Sequence, residues 1–193
     1  MEILKNKVAV GAQKPFKILH VTDCHLTPVD ARDNERKHAL SLRRKKEFGE
    51  EKCDDFYNEI TAYGRENCDV MVCTGDLIDF TSNAAFDILQ KECLRNQYVF
   101  AVGNHEFSQY VGEAKEDFHY KMQYYTDVQK AVGCNLEFDS KIINGVNFIT
   151  LDNVYYDFTL KQLELLKVEA TRGYPIVLCM HTPNTFYSIE NCP

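Results

Sequence analysis

Residues Val70–Asp79 read Val-Met-Val-Cys-Thr-Gly-Asp-Leu-Ile-Asp, a short apolar run that stops at a glycine and is followed at once by carboxylates. A run of this length, bounded by a turn residue, suits a strand covered on both faces. Gly75 lets the backbone turn sharply and puts the Asp76 carboxylate at the strand tip. Two oxygens at that point can bridge two cations. Asp79, one helical turn on, is expected to orient a ligand or loop from behind rather than to ligate.

The same arrangement recurs on either side. Phe16–Thr22 runs into Asp23-Cys24-His25, Tyr98–Val102 into Gly103-Asn104-His105-Glu106, and Ile176–Met180 into His181-Thr182-Pro183. Val146–Leu151 is a further strand candidate. Helical stripes lie between the strands: Phe56, Ile60 and Tyr63; Phe86, Leu89 and Cys93; Phe118, Met122, Tyr125 and Val132, with Gly133 placed to end that helix. All three are read as core. Thr159 and Gln162 form the pattern of a capping box opening a helix through Leu163 and Leu166. Strands alternating with helices predict an α/β domain. The charged segment Pro28–Lys52 is only weakly periodic, and its Arg43-Arg44-Lys45-Lys46 run is read as a solvated helix face rather than a device that steers an anion.

With 193 residues the chain fits one domain, spanning 1–193. Its net charge of −7 is a poor electrostatic match for nucleic acid, which is held by Lys and Arg that displace counterions. It does not oppose a small phosphorylated substrate, because bound divalent cations would reverse the local field. The 8 cysteines are scattered without a CxxC pair, several within apolar runs, as expected of reduced thiols in the cytoplasm. No stretch is long and apolar enough to suggest a membrane partner. Nothing in the sequence bears on oligomeric state.

Each strand-end motif carries a recognisable chemistry. Asp23 and His25, two apart in an extended backbone, would point the same way and could share a metal. Asn104 offers a neutral oxygen to a hard cation, and His105 beside it can donate a proton or hydrogen-bond a phosphate oxygen. His181 supplies an imidazole, a common transition-metal ligand. A lone Asp or His at a strand end is ordinarily a cap or turn residue. Four such loops in succession, each following a buried strand, are not accounted for that way.

In this order, DxH, GDxxD, GNHE and H, the motifs resemble those of the calcineurin-like metallophosphoesterase superfamily from Asp23 to His181. The resemblance implies a four-layer α/β sandwich of two mixed sheets between helices, with a dinuclear centre at the strand ends. It implies Asp23 and His25 on one metal, Asp76 bridging, Asn104 and His181 on the other, and His105 as the catalytic histidine. Asp79 and Glu106 would support these groups. The two divalent ions are expected to be Mn or Fe, with Zn as the alternative, since the donors mix N and O and no cysteine is placed to select zinc. A hydroxide bridging the ions would attack phosphorus in line.

The superfamily's closing GHxH is absent, so each metal would lack one imidazole, and the chain is expected to be a C-terminally truncated form of the fold. His20, inside a strand, is read as core or supporting. His119 is read as surface, and His38 as a residue of the charged insert for which lining the cleft is the less favoured reading. The missing motif keeps one rival of another class in play, a non-catalytic scaffold or regulatory protein. A nuclease using the same centre is a second, against which the acidic balance counts.

Overall fold

A computed structural model describes residues 4–49, 52–95, 97–111 and 117–183. Two three-stranded sheets stack face to face. The first has the order β1 (Ile18–Val21), β2 (Val70–Cys73), β3 (Tyr98–Phe100), and both of its pairings are parallel, with Ile18 opposite Val70 and Met71 opposite Tyr98. The second has the order β4 (Phe138–Ile143), β5 (Val146–Leu151), β6 (Ile176–Cys179) and is mixed, antiparallel at β4–β5 and parallel at β5–β6. β4 is a strand the search for continuous apolar runs passes over. Its signal is Asn144-Gly145, both in left-handed backbone, which closes the hairpin.

Alternation along the strands sorts the core into layers. Val70, Val72, Val99 and Ala101 of the first sheet meet Ile143, Val146, Phe148 and Cys179 of the second. On the outer face of the first sheet, Met71, Cys73, Tyr98 and Phe100 pack against α2 (Lys52–Asn67), α3 (Asn83–Cys93) and α4 (Phe118–Val132). On the outer face of the second, Phe138, Ile149 and Leu151 pack against Leu165 and Leu166 of α5 (Leu160–Ala170). Helix, sheet, sheet, helix is the expected four-layer sandwich, and burying each large apolar side chain contributes about 1.5–3 kcal/mol.

The helix ends follow local chemistry. Ser82 caps α3, Asp117 caps α4, and Gly133 closes α4 in left-handed backbone. The Thr159–Gln162 capping box opens α5. The stripes are narrower than expected. In α2 Tyr57 and Thr61 face inward while Phe56 is exposed, and in α4 burial reaches Val128 and Val132 but not Phe118 or Met122 in the first turns.

His20 is exposed rather than core, on β1 at the edge of the first sheet. The basic segment needs a larger correction. α1 (Glu35–Glu47) turns Lys37, Leu40 and Ser41 inward, at helical spacing. The Lys37 Nζ donates to the carbonyls of Thr81 and Gln109, and the Ser41 hydroxyl donates to Thr27 O at 2.6 Å. The hydrophobic period is weak because the inward stripe is largely polar.

Candidate metal centre

The first three motif loops leave the parallel sheet side by side and remain paired beyond it. The Asp23 amide donates to Gly75 O at 3.1 Å, and the His25 amide to Asp76 O at 2.9 Å. Ladder contact resumes at Leu26–Ile78. Asp23, His25 and Asp76 all adopt left-handed backbone, with φ of 53°, 47° and 51°. The extended geometry expected at Asp23–His25 is therefore not what brings their side chains together. Non-glycine residues in this region cost about 1–3 kcal/mol each and persist only where the surroundings over-determine them.

Glu106 supplies much of that determination. Fully buried, its carboxylate accepts the amides of Asp76 at 2.9 Å, Leu77 at 2.8 Å, Ile78 at 3.2 Å and Gly103 at 2.7 Å. Burial and the neighbouring Asp76 charge push its pKa up, while these amides hold the rise in check. One carboxylate thereby fastens the Asp76 loop to the Asn104 loop. The contact is close enough to require glycine. A Cβ on Gly103 would sit 2.2 Å from Asp76 Oδ1, and one on Gly75 would sit 2.8 Å from Gly103 Cα and from His181 Nδ1.

Four potential ligand atoms converge above this scaffold. His25 Nε2 lies 3.9 Å from Asp23 Oδ1 and 3.9 Å from Asp76 Oδ2, and His181 Nε2 lies 3.4 Å from that same Asp76 oxygen. Asp23, Asp76 and His181 form a group of donors within 4.8 Å of one another. Asn104 lines the same cavity as Asp23 and His181. Burial opposes the imidazolium of His181, but its hydrogen bond to Asp76 and the Asp76 charge outweigh this and raise its pKa to about 9.

His25, Asp79 and His105 form a second cluster within the same distance, but its contacts are hydrogen bonds. Asp79 Oδ1 meets His25 Nδ1 at 3.0 Å and His105 Nδ1 at 3.3 Å, and Arg44 grips the carboxylate with Nε at 2.6 Å and Nη2 at 3.0 Å. These donors outweigh burial and hold Asp79 well below the usual carboxylate range. Its oxygens are spent on orientation, while His25 keeps Nε2 for the convergent set. His105 Nδ1 also meets Asp79 O at 2.8 Å and its amide donates to Asp76 Oδ1 at 2.9 Å, so Nε2 is the ring atom left for chemistry. Against burial, Asp79 and Asp76 raise its pKa to about 9.

Sequence reasoning missed two contributors. Arg44 comes from the insert read as solvated. It also lies 4.4 Å from the ring centre of Phe48, which in turn stacks on His25 at 5.6 Å. The inward Lys37–Leu40–Ser41 spacing was the available signal, because Arg44 continues it by one turn. Asn153, fully buried, accepts the amides of His181 at 3.2 Å and Thr182 at 3.1 Å and donates to Thr182 O at 2.6 Å. It follows β5 directly, but nothing in Asp152-Asn153 alone names its target.

The remaining histidines stand apart. His20 pairs with Thr74 Oγ1 at 2.8 Å, His38 with Asp30 O at 3.0 Å, and His119 is exposed. Neither donor cluster of the described residues includes them, and His38 does not line the cavity.

The calcineurin-like phosphoesterase family matches the chain over residues 16–192. The chain belongs to that family. No curated protein matches it. The family's metal dependence agrees with a donor set of mixed imidazole nitrogens and carboxylate oxygens. The described cysteines carry no disulfide, and no helix among the described residues is long and apolar enough to cross a membrane.

Proposed function

We propose that this calcineurin-like phosphoesterase hydrolyses a small phosphoester at a dinuclear centre held by Asp23, His25, Asp76, Asn104 and His181, with His105 as its proton donor. The convergence of His25 Nε2, Asp23 Oδ1, Asp76 Oδ2 and His181 Nε2 carries the reading. The donors suit Mn or Fe, with Zn as the alternative. When bound, such ions lower the pKa of water towards neutrality and offset the charge that develops on phosphorus.

The chain's own groups do the rest. Asp76, whose Oδ2 faces the imidazoles of both His25 and His181, would be shared between the two ions. His105, held through Nδ1 and charged near neutrality, offers Nε2 to the leaving oxygen, which must gain a proton as the ester bond breaks. Asp79 keeps that ring and His25 in one orientation, and its bonds from His105, His25 and Arg44 keep it ionised against burial. Unpaired cysteines support a reducing compartment such as the cytoplasm.

The test is His105→Ala in Mn²⁺-loaded protein. Turnover of a phosphoester should fall about 10²–10⁴-fold while metal per chain, read by plasma mass spectrometry, stays at the wild-type value. A parallel loss of metal would make His105 a ligand. Wild-type protein that binds no metal and cleaves no phosphoester would favour the scaffold.

A further inference from the structure

We infer that Tyr155 and Tyr156 form a subsite for a planar, uncharged ring on the alcohol side of the phosphoester, so that substrates of nucleotide type are preferred over simple sugar phosphates. The inference rests on the hydrolase reading above and adds a substrate class to it.

A cavity of about 240 Å³ opens over the centre, lined by Asp23, Asn104 and His181 of the centre and by Tyr155, Tyr156 and Pro183. Its volume is below the roughly 300–1,000 Å³ of pockets that enclose drug-sized ligands, which suits a small ester with part of its bulk at the mouth. The tyrosines reach it on unusual backbone. Tyr155 and Tyr156 both have positive φ, 65° and 63°. Two successive bulky residues in the left-handed region are rare, and such outliers gather at ligand-binding sites.

The turn that carries them is tied down. The Val154 amide donates to Asp152 Oδ1 at 3.2 Å and the Tyr156 amide to Asn153 O at 3.1 Å. Tyr155 packs against the main core, whereas Tyr156 is 69% exposed. A large aromatic is thus held on strained backbone at the lip of the cavity, where burial gives it little. Asn153 belongs to the same turn and also holds the His181 loop, which joins lip and floor in one unit.

An aromatic wall can take a planar ring or an organic cation. Asp23 is the one acidic residue that lines the cavity among the described residues, and the centre already uses it. No carboxylate is left to pair a cation, which favours the uncharged ring.

The experiment compares adenosine 5′-monophosphate with ribose 5-phosphate, and their methyl diesters with each other, on the Mn²⁺-loaded 193-residue chain. Both members of each pair are cleaved at the same 5′-oxygen, and they differ in carrying the base or a hydroxyl at C1′. Stacking on one aromatic should favour the base-bearing ester roughly tenfold or more in kcat/KM, mainly through KM. Tyr156→Ala should abolish the preference and leave the ribose esters unaffected, and Tyr156→Phe should retain it. Wild-type protein that cleaves ribose and adenosine esters equally would overturn the subsite and leave the hydrolase standing. So would a Tyr156→Ala loss equal for both, or a stronger preference for phosphocholine. Cleavage of none of these esters would overturn the subsite, and it would overturn the hydrolase as well if p-nitrophenyl phosphate were also left intact.

Discussion

Three of the site loops leave the parallel sheet and lock onto one another, whereas the fourth leaves the mixed sheet and is fastened mainly through Asn153. Glu106, the Gly75–Gly103 contact and the Arg44–Asp79 pair join the Asp23, Asp76 and Asn104 loops at many points. The His181 loop is held by Asn153 and by the contact of its own Nδ1 with Thr74 O at 2.9 Å. One half of the centre is therefore set by the fold itself. The other half is docked against it, and its placement is more easily disturbed.

The sharpest way to break this contrast is Gly103→Ala. A Cβ there would meet Asp76 Oδ1 and the Asp76 amide at 2.2 and 2.6 Å, both in the interlocked half. Destabilisation of about 3 kcal/mol or more is expected in urea unfolding. Gly133→Ala, with nothing within 4 Å but a positive φ, should cost only about 1 kcal/mol. Equal costs would remove the case for an interlock.

Arg44→Ala comes next. It leaves a fully buried carboxylate with two imidazoles and no guanidinium, at a cost of about 3 kcal/mol. Arg32→Ala, which opens exposed pairs with Asp30 and Asp87, should cost far less, because water screens those pairs. If thermal melts rank the two alike, α1 is not part of the centre.

Asn153→Ala strips partners from the His181 and Thr182 amides and should cost about 2 kcal/mol. Cation affinity should fall roughly 10-fold as His181 loosens. Titration calorimetry would contradict the docked-loop picture if stability fell and affinity held.

The smallest effect is a proton count. Metal-free His181 is charged at pH 7.5, since its pKa is about 9, and it must be neutral to ligate. Cation uptake at pH 7.5 should release about one proton, and almost none well above pH 9. A proton released beyond that one would come from His105 only if His105→Ala abolished it, since ionisation of a metal-bound water adds one of its own. Both imidazoles titrate higher folded than unfolded. Their support of the metal-free fold is complete below about pH 6.5, and it is lost as pH rises through about 9. The urea midpoint of metal-free protein should drop across that interval.

What could be read in advance was what chemistry repeats locally. Apolar runs ending in Gly-Asp, Gly-Asn-His or His-Thr-Pro name both a strand and what stands at its tip. β4 was less legible because Asp139, Ser140 and Lys141 interrupt its apolar pattern, though Asn144-Gly145 marked the hairpin. Arg44 escaped because its partner lies 35 residues away and polar inward stripes leave no hydrophobic period. The backbone at Asp23, His25 and Asp76 had no signal at all, since left-handed aspartate and histidine look like any others in a sequence.

Those three left-handed residues also make the centre a gauge of its surroundings. Their conformational cost is borne whenever the chain folds, with or without a bound ion. An ion that binds the folded centre and not the open chain offsets it by mass action, by about 2.7 kcal/mol at a concentration 100-fold above its dissociation constant. The melting temperature of this protein should then climb with the logarithm of free cation, and simple thermal scans could rank Mn²⁺, Fe²⁺ and Zn²⁺ without any substrate in hand.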